Sequence, residues 1–275
     1  MANSMKKLCI DSRFSAPGSK GNADFRYVLT ESIHIPDNMS MYVTDVCIPR
    51  SWYTIEYFNQ YMFVRVKNKT TNNTTDYKIA LTQKNYSLTS LREEVEYQLN
   101  NNIDETDWTV SIDNSRGTIT ISCLSPQHCF WMLSDKDLSR TGVAYVNTFN
   151  IDSTNPQSCN SVLGNTHTSD LTINSNEWTS GFVDLVGIHN VYITCSQFGN
   201  NSLGPQGERN ILKKIVTTAE FGGLIINNWT NEFDHVDCSK MLIKTLDFRL
   251  TDAYGNPLIL HGAHVSFTIV FCPRH

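Results

Sequence analysis

Charge is scarce in this sequence. Charged residues make up 18% of its 275 positions, against about 25% in an average soluble chain. The formal net charge is −5. That balance argues against a protein whose bulk surface coats nucleic acid, though it leaves room for a local basic stretch. No apolar run approaches the length of a membrane span. The opening MANSMKKLCIDSR has no apolar h-region, so synthesis inside the cell without secretion is the expectation. The eight cysteines (Cys9, Cys47, Cys123, Cys129, Cys159, Cys195, Cys238 and Cys272) include no C-x-x-C pair. Without secretion they read as free thiols rather than a disulfide framework. Sequons at Asn38, Asn68, Asn73, Asn85 and Asn228 then stay unmodified. Phosphate-cradle and nucleophile-elbow motifs are both absent. Glu93 and Glu94 are neighbours on a helix and are expected to be solvated. Nothing here forms a catalytic constellation, and no internal repeat is evident.

What the sequence does hold is alternation. From Met241 to Cys272 it reads MLIKTLDFRLTDAYGNPLILHGAHVSFTIVFC. Leu242, Leu246, Phe248 and Leu250 share one parity, with Lys244 as the exception. Ile243, Thr245, Asp247, Arg249 and Thr251 share the other. Period two marks a strand with one buried face. Asp252 to Pro257 is turn chemistry. A second alternation sets Val265, Phe267, Ile269 and Phe271 against Ser266 and Thr268. Further strands are expected at Phe25–Ile35, Met39–Ile48, Tyr61–Val66, Ile188–Cys195, Ile211–Thr218 and Leu224–Trp229. Within Met39–Ile48, Met41, Val43 and Asp45 are expected to face opposite to Tyr42, Thr44 and Val46. Pro36 and Pro49 stop the first two strands, because proline cannot donate to a ladder. That makes three strands before residue 72 and five after residue 178.

The middle of the chain has a different character. Asn68–Asp76 is polar and marks a boundary. Tyr77–Leu81 reads as a strand. Leu88, Leu91, Val95 and Leu99 recur at helical spacing, with Ser87 as a candidate N-cap and Ser90–Glu93 as a competing capping pair. Trp108–Ile112 and Ile119–Cys123 flank the turn Asn114–Gly117 and predict a hairpin. Short helical pieces are expected near Asp135–Leu138 and Gln157–Leu163, the second stopped by Gly164. Residues 72–178 are therefore expected to form an inserted α+β subdomain, 25–71 and 179–275 a discontinuous β domain, and 1–24 an N-terminal arm.

Several short runs resemble one family. Lys244-Thr-Leu-Asp-Phe-Arg-Leu-Thr-Asp252 is followed by Gly255-Asn256, Leu260-His-Gly262 and Val265-Ser-Phe267. Asp11-Ser-Arg13, Asp24-Phe25, Pro49-Arg-Ser-Trp-Tyr-Thr54, Gly204-Pro-Gln-Gly-Glu208 and Asp237-Cys-Ser239 occur in the same order. Together they resemble the penton (minor capsid) proteins of Polinton/Maverick elements, adintoviruses and virophages. The resemblance implies a mainly β fold: a single eight-stranded antiparallel jelly roll, with the α+β insertion between its D and E strands. It implies a non-enzymatic homopentamer at icosahedral five-fold vertices of a virion capsid, made inside the host cell. The implied neighbour is a double jelly-roll major capsid protein, with a host receptor or fibre engaged through the insertion. Nucleic acid would be met at most through the arm.

Candidate sites follow. Gly204, Gly207, Glu208, Arg209, Lys213 and Lys214 form a candidate subunit interface, with Glu208 and Arg209 available for pairing across it. The plain alternative is a surface loop. Lys6, Lys7, Arg13 and Lys20 would line the capsid interior, or belong to a solvated terminus. His261 and His264 invite a metal. Residues three apart on a strand face opposite ways, so structural histidines are the better reading and no metal or other cofactor is expected. Asp234-His-Val-Asp-Cys238 reads as a turn. Two other classes compete with the capsid reading. A cytokine- or lectin-like jelly-roll binding module would form trimers or monomers, and a cupin-like metalloenzyme would carry stoichiometric metal.

Overall fold

The structure is a computed structural model that describes residues 6–139, 148–152, 156–199 and 202–274. Its strands are β1 (Lys6–Asp11), β2 (Asp24–His34), β3 (Met39–Pro49), β4 (Tyr61–Asn68), β5 (Thr74–Ala80), β6 (Trp108–Asp113), β7 (Thr118–Cys123) and β8 (His128–Met132). They continue as β9 (Glu177–Thr179), β10 (Asn190–Cys195), β11 (Ile211–Val216), β12 (Leu224–Asn227), β13 (Val236–Asp237), β14 (Leu242–Thr251) and β15 (Ser266–Pro273). One long helix, α1 (Leu88–Asn102), lies between β5 and β6. The chain divides into two compact units, Met1–Trp52 with Ile188–His275, and Tyr53–Gly187.

The first unit is mainly two antiparallel sheets. One has the order β1-β15-β3-β12, with β13 also pairing β3, and the other the order β11-β10-β14-β2. Their inner faces share one core that includes Ile10, Phe25, Met41, Phe248, Phe267 and Phe271. Phe25 and Phe248 pack at a tilt across a ladder with ring centroids 5.6 Å apart.

Two irregularities overturn parities read from the sequence. Met41 and Val43 are buried in β3, but so are Val46 and Ile48. Asp45 adopts φ +51 and the register with β15 shifts there by one residue. This is a β-bulge with its extra residue in the left-handed region, which Asp tolerates better than most side chains. The second lies in β14, where Leu242 is 67% exposed and Ile243 only 3%. The register with β2 shifts between Ile243 and Thr245, and Lys244 Nζ donates to Thr30 O across the irregular stretch at 2.8 Å. The lysine that broke the pattern marks the place where parity changes. In β15 the other parity is also covered, since Thr268, Val270 and Cys272 are buried along with Phe267.

The N-terminal arm is also corrected. Residues 1–5 lie outside the described residues. From Lys6 the chain forms β1, paired with β15 through Asp11. Ile10 is buried, Val265 N–H donates to Ser12 Oγ, and Asn22 Nδ2 donates to Ala263 O. A terminus with apolar residues at alternate positions, Leu8 and Ile10, has a face to bury, and β15 supplies the ladder.

The second unit holds two three-stranded sheets, β5-β4-β8 and β6-β7-β9. Tyr61–Val66, expected to belong with β2 and β3, sits here instead as the central strand β4. Met62, Val64 and Val66 enter one core and Phe63 another, so β4 is buried on both sides. Alternation identifies a strand but not its neighbours. The boundaries accordingly fall at Tyr53 and Gly187, not at 72 and 178. Ser87 caps α1 in a reciprocal pair with Ser90, and Leu91, Val95 and Leu99 are buried. Glu94 is buried as well, against the expectation of a solvated pair. Its Oε1 accepts from Thr82 N–H at 2.9 Å and from Thr82 Oγ1 at 2.7 Å. Strand β8 has no alternation to read, because all five of its residues are buried.

Candidate subunit interface

The two sheets of the first unit end in two borders. Tyr27 Oη of β2 donates to Cys9 O of β1, which ties those edge strands together at one border. At the other border Lys213 of β11 reaches β3, and there β11 and β12 are the edge strands.

Lys213 is one of the sequence-derived interface candidates, and the structure moves it indoors. It is 4% exposed. Its Nζ donates to Val43 O at 3.0 Å and to Trp229 O, and lies 3.5 Å from Asp234 Oδ2. Val43 stands two residues before the bulge at Asp45. Burial pulls the Lys213 pKa down, and the Asp234 carboxylate acts against that fall. A lysine so placed holds the two sheets together and is not free to grip a neighbour. Lys214, next along the strand, faces out and is exposed.

The glycine-rich stretch before β11 is a built loop. Gly204 N–H donates to Glu208 O at 2.8 Å and Gly207 N–H to Gly204 O at 3.0 Å. Gly207 sits at φ +88, open to glycine at little strain. A Cβ on Gly204 would collide with the Glu208 carboxylate and stand 2.6 Å from Ile211 Cδ1. Glu208 therefore serves its own loop, where it also accepts from Gln206 N–H at 3.0 Å. Of the pair expected to reach across an interface, Arg209 alone is exposed.

Beside this loop lies a feature that the sequence reading missed. Leu224 and Ile226 of β12 are 54% and 63% exposed, Trp229 73% and Phe233 91%. Leu224 and Ile226 stand on β12 beside Pro49–Val46 of β3, and Trp229 and Phe233 stand on the connection from β12 to β13, which pairs Met41. The run Phe221–Asn231 holds no charged residue. Of the four, Phe233 alone lines a groove of about 670 Å³, together with Leu203, Lys214 and Arg274 among others. The signal was present in the sequence as an uncharged run with alternating aliphatics, but it reads equally as a buried strand.

The outer face of the second sheet is different. Arg26 Nε donates to Asp247 Oδ1 at 2.6 Å, and Arg249 Nε to Asp24 Oδ2 at 3.0 Å. The Arg26 hydrogen bond holds the Asp247 carboxyl below the usual carboxylate range. These cross-strand pairs make a charged surface over β2 and β14.

The basic candidates near the N-terminus have different settings. Lys6 contributes its backbone to β1, and its side chain lies outside the described atoms. Lys7 and Lys20 are exposed, and Arg13 is paired with Asp11. The two histidines also have different surroundings. His264 Nδ1 lies 3.2 Å from Ser12 Oγ, and His261 takes a left-handed turn position at φ +46. In the Asp234–Cys238 run, Asp234 accepts from Asn231 N–H, His235 contacts Ser40 Oγ, and Asp237 pairs with Arg274. Among the described residues no three His, Cys, Asp or Glu side chains converge as a metal site. All eight cysteines are free thiols, and burial pushes Cys159, Cys195 and Cys238 up to about 12. No helix among the described residues is long and apolar enough to cross a membrane.

No protein-family profile matches the chain, and no curated protein matches it. Among solved structures, the crystal structure of the selenomethionine-labelled mavirus penton protein is similar over 98% of this chain and 99% of that chain. The TM-score is 0.51 and the identity 11%. At that identity the likeness is one of fold. The chain is mainly β, built of antiparallel sheets, with a penton-like fold.

Proposed function

We propose that this protein is a non-enzymatic building block of a virion capsid, a penton subunit that assembles as a homopentamer at five-fold vertices. The observation that carries the reading is the end-to-end likeness to a penton protein, which takes in both compact units. Strand order supports it. With the two-residue β13 set aside, the strands of the first unit can be lettered B to I in chain order. The sheets then read B-I-D-G and F-E-H-C. That arrangement supports an eight-stranded jelly roll, with Tyr53–Gly187 entering between strands D and E. A closed ring of identical copies uses two different surfaces on each copy. The surrounding partner on this reading is a double jelly-roll major capsid protein, and the inserted unit engages a host receptor or a fibre.

Native mass spectrometry of the purified protein tests it. The expected particle has five copies, five times the 31.2 kDa of one chain. A trimer or a monomer would favour the binding-module reading and overturn this one.

A further inference from the structure

On the ring reading just given, the structure also indicates which surfaces meet. We infer that the apolar border formed by β12 and the segment through Phe233 packs against the β1–β2 border of the next copy. Four exposed large apolar side chains, Leu224, Ile226, Trp229 and Phe233, stand along one border of the first unit. An exposed apolar concentration of this kind marks an interaction site more often than an ordinary surface. The occupant follows from the far side of the same sandwich. There Phe14, after β1, and Val28, in β2, are 72% and 48% exposed, and Leu242 of the neighbouring β14 is exposed as well. A molecule with apolar side chains on two opposite borders leaves both open as a monomer. It covers both when each copy gives one border and receives the other. This is the head-to-tail contact that closes into a ring. A foreign partner on one border would leave the second unexplained.

Size sharpens the assignment. The stretch of β3 from Met41 to Pro49 that β13 and β12 follow spans roughly 26 Å at about 3.3 Å per residue. Across two sheets roughly 10 Å apart this strip falls short of the roughly 800 Å² per partner of a standard interface. The loop before β11, which adjoins the same border and exposes Arg209, must take part.

Lysine substitutions and particle mass test the contact. Ile226→Lys and Val28→Lys each place a charge on one border at an exposed site, so both variants should keep the wild-type circular dichroism, while their melting loses only the contribution of assembly. Trp229→Lys is the second variant on the β12 border, should Ile226→Lys fold poorly. Each variant alone is expected to run as a single copy, a five-fold fall in mass. An equimolar mixture is expected to form a dimer of one copy of each. The intact β2 border of Ile226→Lys can still receive the intact β12 border of Val28→Lys, but no longer chain can grow. A wild-type oligomer that survives Ile226→Lys or Trp229→Lys overturns this contact and leaves the ring reading standing. Folded monomers that do not pair on mixing overturn the match between the two borders. A wild-type chain that is itself monomeric at high concentration overturns the ring reading, and the contact with it.

Discussion

The Phe248 and Phe267 rings meet edge to face across the two sheets of the first unit, with centroids 5.0 Å apart and planes at 83°. Both are fully buried. Aromatic pairs of this geometry add roughly 0.5–1.5 kcal/mol beyond the area they bury. Phe267→Ala is expected to destabilise the protein by about 3–5 kcal/mol. Thr268→Ala removes a smaller, though also buried, group and should have a distinctly smaller effect. Urea titrations of the two variants check this, and equal midpoint shifts would contradict it.

Lys213 and Lys214 are adjacent and opposite. Lys213→Met leaves Val43 O and Trp229 O without the ammonium donor and Asp234 without its ion-pair partner. Hydrogen bonds to charged groups are worth about 1.5–3 kcal/mol, and a loss of that order is expected in denaturant unfolding. Lys214→Met is expected to change stability by less than about 0.5 kcal/mol. Similar losses from both would mean that Lys213 does not bridge the sheets.

Asp45 holds a left-handed conformation that a β-branched residue resists. Asp45→Val is expected to lower stability by about 1–3 kcal/mol, whereas Asp45→Gly should be neutral or slightly stabilising. Thermal melts of the pair discriminate this from a side-chain role for the carboxylate, which would make both variants comparably unstable.

Excision of the second unit depends on where the cuts fall. Replacing residues 53–187 by a Gly/Ser linker removes a complete unit, and closure entropy changes by only about 0.6 kcal/mol per doubling of loop length. The product should be soluble and β-rich by circular dichroism. Cutting instead at 72 and 178 leaves β4 without β5 and β8, as an orphan strand buried on both sides in the intact protein. That product is expected to aggregate. If the second product behaves and the first does not, β4 belongs with the other unit.

The strands whose faces differ in polarity were legible, as were the hairpin β6–β7 and helix α1, because period and turn chemistry are local properties. Three kinds of information were not. Strand β8, buried on both sides, has no period. The partner of β4 is fixed by packing far along the chain, not by its own alternation. The bulge at Asp45 and the register shift beside Lys244 reverse parity within a single strand, and a sequence reading carries one parity through. At the candidate interface, the loop Gly204–Arg209 and exposed Lys214 could be found from the sequence. Burial of Lys213 could not, because its acceptors are carbonyl groups of β3 and of Trp229. The apolar border went unseen because exposed and buried aliphatics share one alphabet.

The pairing of β1 with β15 sets an order of events on the ribosome. Val265 N–H donates to Ser12 Oγ across 253 residues, so the first sheet cannot close until β15 has been translated. The unit from Tyr53 to Gly187 is contiguous and has all its strands once Gly187 emerges. It can therefore acquire its structure while β1, β2 and β3 still wait, with Ile10 and Met41 uncovered. Ladders between such distant partners form slowly, and unpaired edges invite association in the interval. Nascent-chain crowding on polysomes is thus a hazard that falls on the first-made strands, even though they complete their sheet last.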